Sequence, residues 1–511
     1  MEPLTQRYQK QIGGKLSCFD RLVIMGTLPD ICHKEALGRH LYFKDIRIFD
    51  YAKVFADPLR EEIRANAERV AQEAGLEIEY LSSPRRIRKE QRVQAILEQR
   101  PAEGRAQPGL VHVFSVMEPC NAFKPWRDKT SGKSYLRTAP GKCLHYYFYF
   151  IDPDFGLCYL RVPTWVPFRL QFYCNGHNWL ANQLRQRDIA FQQLDNTFGS
   201  IADWSTAQQL ADAFPVDQLH RLLDTIAMRF CPALRHFEAG YHWSIMQVEY
   251  ATDIVFKRQE DLRPLYDALV HTAIHAVKPD HVATFLGRKL HPNFEAELGN
   301  DFHTRIEGTR IKHFMGPTSL KMYDKAGLVL RLETTTNDVS FFKHYREVEH
   351  RDGQVEKKLA PVQKTIYSLG ALRELLGAVN RRYLDFLSDL SDPTAGVRKV
   401  EKLSQTVHRD ERTYRGFNLF DTDDLTLFSA LVRGEWQISG MANATLRQVL
   451  QHKTGPQVSR LLKRLRLHGL IKKVGRCYKY YLTKFGQEVI LTALKLRELV
   501  VIPTLAGALP S

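Results

Sequence analysis

Apolar residues recur along the chain with two spacings, every third or fourth position in some stretches and every second in others. This separates helices from strands before composition is considered. From Pro58, PLREEIRANAERVAQEAG has the helical spacing, with proline in its first turn and Gly75 at its end, and LEIEYL behind it alternates as a strand. Ahead of it, MEPLTQRYQKQIGGKL reads as a polar helix and RLVIMG, residues 21–26, as a buried strand. Strand, helix, strand predicts an α/β layer. SPRRIRKEQRVQAILEQR is a basic helix, PAEGRAQPG a loop and GLVHVFSVM a strand. KCLHYYFYFID, GLCYLRVPT and PFRLQFYC then form an antiparallel meander turned at PDF and WVP. Helices are expected over residues 176–187, 206–213 and 216–237, a strand over HWSIMQVEYATDIVF and a helix over 260–277. RIEGTRIKHFMG, TSLKMYDKAG and LVLRLETTT make a second meander, broken at Pro317 and Gly327, before the helix TIYSLGALRELLGAVNRRYLDFLSDL. Two meanders with helices between them suggest a core of two related halves, although no repeat period accompanies them.

The last ninety residues change style. Leu425, Leu427, Phe428, Ala430, Leu431 and Val432 space a first helix; NATLRQVLQHK makes a second with Asn443 as its N-cap; GPQVSRLLKRLRLHG makes a third. In that third helix Val458, Leu461, Leu462 and Leu465 form the buried stripe, leaving Gln457, Ser459, Arg460, Lys463, Arg464 and Arg466 outside. LIKKVGRCYKYYLT then alternates around Gly475 and Arg476 as a hairpin with a basic tip carrying Lys472, Lys473 and Lys479. Helix, turn, helix and hairpin is the order of a winged helix-turn-helix. The segment resembles the winged-helix modules of MarR-type and ArsR-type bacterial regulators, which implies a helix in a DNA groove and a wing on the backbone. The fold class expected is therefore α+β: a large mixed body with antiparallel aromatic and basic sheets, plus a C-terminal winged helix-turn-helix. The divisions expected are an N-terminal α/β region at 1–140, an α+β core at 141–390, a linker at 391–417 and the winged helix at 418–500.

Composition sharpens the choice of partner. The 511 residues are 44% hydrophobic and 11% aromatic, enough for more than one core. A net charge of +16 and a pI near 9.4 favour a polyanion. Between residues 453 and 497 twelve Lys or Arg face a single acid, Glu488, so the charge is densest where DNA contact is expected. No apolar run approaches the roughly 20 residues of a spanning helix and no secretory h-region follows Met1, so no membrane partner and a cytoplasmic location are expected. The eight cysteines form no CxxC pair and read as reduced, buried thiols. Walker loops, dinucleotide fingerprints, nucleophile elbows and zinc-protease helices are absent, removing the commonest nucleotide-binding and hydrolase classes.

Candidate chemistry concentrates in residues 305–338. A basic strand with Arg305, Arg310 and Lys312 leads to a strand with Lys321, Tyr323, Asp324 and Lys325, then to one whose alternation places Arg331 and Glu333 on one face. This run resembles plasmid and filamentous-phage replication initiators, where a Tyr-Asp-Lys strand precedes an Arg-x-Glu strand. The resemblance implies a metal-polarised phosphate attacked by a tyrosine, with Glu333, Tyr323, Tyr345 and Asp324 as candidate catalytic residues, Glu333 and His344 as candidate ligands, and Mg2+ or Mn2+ as the ion. The paired His-x-His of the broader nickase class is missing. Asp152 with Glu249 and Asp253 offers a second arrangement, in which an acid on a first strand and acids on later elements hold metals for phosphodiester hydrolysis, or else Asp152 serves its Asp-Pro turn. Tyr146, Tyr147, Tyr149, Trp165, Phe168, Phe172, Tyr173 and Trp179 fall among basic residues and either pack a core or stack on bases. The whole chain resembles uncharacterised bacterial mobile-element or MarR-like proteins in runs such as GKCLHYYFYFID and RVPTWVPFRLQFYCNGHNWLA. The function expected is a nucleic-acid-binding protein of mobile-element or replication type whose body binds, and nicks or processes, a strand. The alternatives are a non-enzymatic winged-helix regulator and an RNA-binding partner protein. The oligomeric state is open.

Overall fold

The computed structural model describes residues 3–82, 88–100, 107–288, 298–305, 308–350, 352–390, 403–409, 412–418, 421–432, 440–474 and 478–502. The fold is mixed α/β, 42% helix and 34% strand. Thirteen strands of the body are β1 (Ile12–Thr27), β2 (Ile78–Leu81), β3 (Gly109–Arg127), β4 (Ser134–Asp152), β5 (Gly156–Pro163), β6 (Leu170–Asn175), β7 (Phe191–Gln193), β8 (Phe198–Ile201), β9 (His242–Phe256), β10 (Leu298–Arg305), β11 (Gly308–Met315), β12 (Thr318–Lys325) and β13 (Val329–Thr336). Among the described residues eleven of them form one sheet in the order β10-β11-β12-β13-β9-β1-β6-β5-β4-β3-β2, while β7 and β8 pair apart. Among the described residues only β2 with β3 is parallel.

That order contains the two halves suggested by the meanders. The β3–β6 meander folds back so that its last strand pairs with β1, and β10–β13 folds back so that its last strand pairs with β9. The antiparallel β1–β9 pair joins them at the centre of the sheet. One continuous core, from Leu4 to Leu387, lies against this sheet, and Leu81, Val93, Leu97, Phe114, Tyr147 and Tyr149 make a smaller core under the helix Lys89–Gln99. The expected division between 140 and 141 falls inside β4, in the middle of a shared sheet. Tyr146, Tyr147, Tyr149, Phe168, Phe172 and Trp179 are buried, so core packing is what they do.

The amino terminus corrects the sequence reading. Helix is confined to Pro3–Arg7, and β1 begins at Ile12 rather than Arg21. Gly14 permits this: a Cβ there would lie 2.0 Å from the Trp204 ring, so only a bare backbone passes. β3 and β4 also exceed the runs read from sequence. They continue as a two-stranded ribbon past the point where β5 leaves β4, at His145 opposite Pro163.

A separate core of Leu403, Phe417, Leu427, Phe428, Leu446, Leu462, Leu465, Val489 and Ile490 among others organises the C-terminal elements. Leu403 and Phe417, assigned to the linker, belong to this core, and a hairpin of Val407–Arg409 with Arg412–Tyr414 lies between them. Helices Thr422–Leu431, Asn443–Val449 and Gly455–Leu467 precede the strands Ile471–Lys473 and Tyr480–Leu482 and the helix Lys484–Leu496. The N-cap of the second helix is Ala442, not Asn443. The Asn443 amide instead donates to the Gly455 carbonyl and the Ser459 hydroxyl, tying the two helices together. Among the described residues no helix is long and apolar enough to cross a membrane.

Candidate functional site: a carboxylate triad over a buried arginine

The β1–β9 register shifts at three points, and at the middle one the partners jump from Phe19 with Tyr250 to Leu22 with Val248. Asp20 and Arg21 therefore oppose the single residue Glu249, a β-bulge of the kind that re-aims a side chain out of the ladder. β13 lies on the other side of β9, with Arg331 opposite Asp253 and Glu333 opposite Ala251, and β12 places Tyr323 opposite Arg331 and Lys321 opposite Glu333. Alternation puts all of these side chains on one face. Asp20, Glu249 and Glu333 each present a carboxylate oxygen, and the three oxygens lie within 4.8 Å of one another.

The floor of the site is an ion network around Arg331, which is 0% exposed. Its Nε donates to Asp253 Oδ1 and its Nη2 to Asp253 Oδ2, both at 2.6 Å; Nη1 donates to Asp20 Oδ2 at 3.1 Å. Nη2 also reaches the Asn196 carbonyl at 2.6 Å and His177 Nε2 at 3.2 Å. Asp20 receives the amides of Asn175 (2.8 Å) and Asn196 (2.7 Å), and the Thr197 hydroxyl donates to Asp253 at 2.5 Å. Asn175 ends β6 and caps the helix Gly176–Arg185 by accepting from the His177 N–H. A Cβ on Gly176 would meet the Phe19 carbonyl oxygen at 2.3 Å, so glycine lets that helix begin directly beside Asp20.

Electrostatics divide the triad. Burial pushes the Asp20 carboxyl upward, but Arg331, His177 and Asn196 outweigh it and hold the group well below the usual carboxylate range. Glu249 has no comparable partner: burial first, and then Glu333, push its carboxyl up to about 7, against the pull of Lys321 at 3.8 Å. Glu333 accepts from Lys321 Nζ at 2.5 Å and from the Tyr323 hydroxyl at 2.6 Å. Burial and the facing Glu333 raise the Tyr323 phenol well above its ordinary value, so the proton stays on its oxygen. A cavity of about 550 Å3 opens over the triad, bordered also by Asn196, Arg310 and Lys325. Three hard oxygen donors under a cation-lined opening can hold a hard divalent ion such as Mg2+ or Mn2+ and receive an anionic substrate.

Of the residues proposed from sequence, Glu333, Lys321, Tyr323 and Arg310 meet here, and Lys312 pairs with Lys321 on the neighbouring strand. Arg331 corrects the sequence reading: with no exposed surface and two carboxylate partners it cannot contact a strand. Asp324 points to the opposite face from Tyr323, because neighbouring strand residues alternate. His344 and Tyr345 lie on a separate hairpin, Lys343–Glu349 with Val355–Pro361, where Tyr345 is 70% exposed and His344 stands outside the carboxylate group. Asp152 accepts the backbone N–H groups of Asp154 and Phe155, so the turn is its role. The Arg305 side chain and Arg476 lie outside the described residues. Sequence reasoning missed Asp20, Asn175, His177 and Asn196. The available signal was Asp20 itself, an acid inside the alternating run KLSCFDRLVIMG.

Around the helix Gly455–Leu467, Gln457, Ser459, Arg460 and Lys463 are exposed, as are Lys472, Lys473 and Lys479 on the hairpin behind it. Arg464 is a correction. It is buried against Asp424, with Nη1 at 3.0 Å and Nη2 at 3.1 Å from the two carboxylate oxygens, and it stacks 3.7 Å from the Phe417 ring centre. Comparison with protein-family models, curated proteins and solved structures finds no match to the chain.

Proposed function

We propose that this protein binds nucleic acid and processes a strand at the Asp20, Glu249 and Glu333 site, using a bound Mg2+ or Mn2+. The observation that carries this reading is the convergence of three carboxylates, one of them with a pKa near 7, beneath an opening bordered by Arg310, Lys321 and Lys325. Crowding like charges is unfavourable unless a cation joins them, and a divalent ion there would polarise a phosphodiester that reaches Arg310, since Lys321 and Lys325 are already paired with Glu333 and Asp195. Tyr323 keeps its proton and orients Glu333, so water is the nucleophile in this proposal: its oxygen attacks phosphorus, one P–O ester bond breaks and the leaving oxygen takes up a proton. In this reading the protein acts as a mobile-element or replication protein, as the resemblance of residues 305–338 to replication initiators implies, but with hydrolysis in place of a tyrosyl intermediate.

We read the C-terminal elements as a winged helix-turn-helix. In this reading the helix Gly455–Leu467 presents Gln457, Ser459, Arg460 and Lys463 to duplex DNA, and Lys472, Lys473 and Lys479 reach the backbone from the wing. A non-enzymatic regulator is the second reading, favoured by one observation: Asp20 and Glu333 already have cationic partners in Arg331 and Lys321. Incubating the protein with labelled single-stranded DNA, duplex DNA and structured RNA, with and without Mg2+ or Mn2+, separates the two. The processing reading expects cutting that needs the ion and disappears in Glu249→Gln and Glu333→Gln. Binding without cutting of any substrate would establish the regulator or RNA-partner reading instead.

A further inference from the structure

The β3–β4 ribbon takes no part in the carboxylate site. Beyond the strand neighbours of the sheet it continues from Glu118 to Arg127 and back from Ser134, about 30 Å at the usual rise per strand residue. One face of its base buries Phe123 and Leu136 in the main core beside Leu37 and Leu41 of the helix Lys34–Phe43. The opposite face turns outward. There Lys124 lies directly across from Arg137 and Trp126 across from Tyr135, all exposed, with the Arg137 guanidinium 4.4 Å from the Trp126 ring centre.

Residues 121–142 hold six Lys or Arg, at 124, 127, 129, 133, 137 and 142, against one acid, Asp128. Asp128 is engaged in the turn, accepting from the N–H groups of Thr130 and Ser131. Among the described residues none of the six cations has a carboxylate partner. Like charges placed directly across a ribbon repel, and beyond the Trp126 ring over Arg137 the Lys124 and Arg137 pair has no partner that neutralises it among the described residues, which favours an external anion. We propose that this ribbon is a binding arm for single-stranded nucleic acid, with phosphates on the cations and unpaired bases stacked on Trp126 and Tyr135.

Three features select that occupant. Pro119, Pro125 and Pro140 remove backbone donors along the ribbon, which disfavours pairing with a strand of another protein. The tip, residues 128–133, is DKTSGK, wholly polar, whereas insertion into a lipid surface needs an apolar end. Aromatic rings alternating with cations suit bases and phosphates in sequence, and a base offers its face to a ring only when unpaired. Beside the arm, a groove of about 740 Å3 bordered by Arg39, Tyr42, Phe43 and Tyr135 continues the same chemistry, with Tyr42 and Phe43 each 81% exposed.

The proposal relies on the nucleic-acid reading for its choice of polyanion but not on the carboxylate site, so its test is run in EDTA. Fluorescence anisotropy of a labelled oligo-dT 20-mer is compared for the full chain and for Lys124→Ser/Trp126→Ser/Arg137→Ser, with far-UV circular dichroism to confirm folding. The triple variant should lose at least about tenfold in affinity, and the slope of log affinity against log salt should flatten by roughly 1.4 for two lost phosphate contacts on a single strand. Oligo-dT should also quench a component of tryptophan emission that Trp126→Phe removes while affinity stays within about threefold, as an aromatic exchange preserves stacking. The tip variant Lys129→Ser/Lys133→Ser, outside the core, should weaken binding in the same direction. Unchanged affinity in the triple variant overturns the proposal. So does arm-dependent binding that is equally tight to a duplex of the same length, or that appears only with phosphatidylserine vesicles. Failure of metal-dependent cutting would leave these binding results standing, and failure of binding would leave the carboxylate site to its own assay.

Discussion

Replacing Glu249 by glutamine should stabilise the ion-free protein at alkaline pH. Burial and the neighbouring Glu333 raise this carboxyl from its ordinary 4.5 to about 7, so the folded protein holds a proton there that the unfolded chain releases. A folded-state pKa raised in this way contributes stability that is fully present below about pH 4.5 and lost as pH rises through about 7. At about 1.4 kcal/mol per pH unit, the gap between 4.5 and 7 corresponds to roughly 3 kcal/mol at pH 8.5. Glutamine keeps the shape without the charge, so Glu249→Gln should exceed the wild type by up to roughly 3 kcal/mol at pH 8.5 and by almost nothing near pH 4.5. In a body of this size that is a rise of a few degrees in melting temperature. Thermal unfolding in EDTA at pH 5, 7 and 8.5 measures it. Adding Mn2+ at about a thousand times its dissociation constant should reverse the ranking, because it contributes about 4.1 kcal/mol to whichever protein binds it. That contribution should grow through pH 7 in the wild type, where the ion must displace the Glu249 proton, and be absent from the variant. A variant less stable than wild type in EDTA at pH 8.5, or equally stabilised by Mn2+, would refute the reasoning.

Arg331→Met removes the cation between two buried carboxylates, and breaking such a pair from one side costs about 3–5 kcal/mol. Asp20 and Asp253 are held low in the folded protein, so their contribution is fully present above about pH 4 and lost only as pH falls below it; the deficit of the variant should persist from neutral pH to about pH 4 and shrink on further acidification, and a loss below about 1 kcal/mol at pH 7.5 would contradict the network. In the C-terminal unit, Arg464→Met should destabilise by about 3 kcal/mol or more through the orphaned Asp424, read as a lower melting temperature. Arg460→Ala/Lys463→Ala should instead leave melting unchanged and flatten the salt dependence of duplex binding by roughly 1.8, at about 0.9 per phosphate contact; unaltered binding there would count against the recognition helix.

Much of the architecture is legible because period alone distinguishes its parts. The helix from Pro58 and the two aromatic meanders stand out, since each buries one face against a shared layer. What period cannot convey is which strands become neighbours. β1 and β9 are more than 200 residues apart, and their pairing turns two meanders into one sheet. The amino terminus was misread for a local reason. Gly13, Gly14 and Lys15 interrupt the apolar alternation, and the reason for Gly14, the Trp204 ring, comes from a distant helix. The boundary before the C-terminal core was placed too late for a related reason: Leu403 and Phe417 are isolated apolar residues in polar surroundings, and only the helices that follow give them something to pack on.

The site was half legible, and the missing half defines its chemistry. Arg331 and Glu333 announce themselves as charges two apart in an otherwise uncharged strand, and such residues face one side and need partners. From sequence those partners were sought nearby, in His344 and Tyr345, yet the sheet supplies them from β1 and β9 through a bulge that exists only once the two strands pair. The same limitation explains Arg464 beside Arg460. Both stand outside the apolar stripe of one helix, but Asp424 lies on a different helix and takes one of them out of solvent. A charge in an amphipathic pattern is therefore free for a ligand only if no acid elsewhere in the fold reaches it. By that criterion Arg460 and Lys463 remain candidates for DNA contact, Arg331 and Arg464 do not, and Glu249, whose carboxyl is the most weakly compensated of the triad, is the residue most directly tied to an added cation.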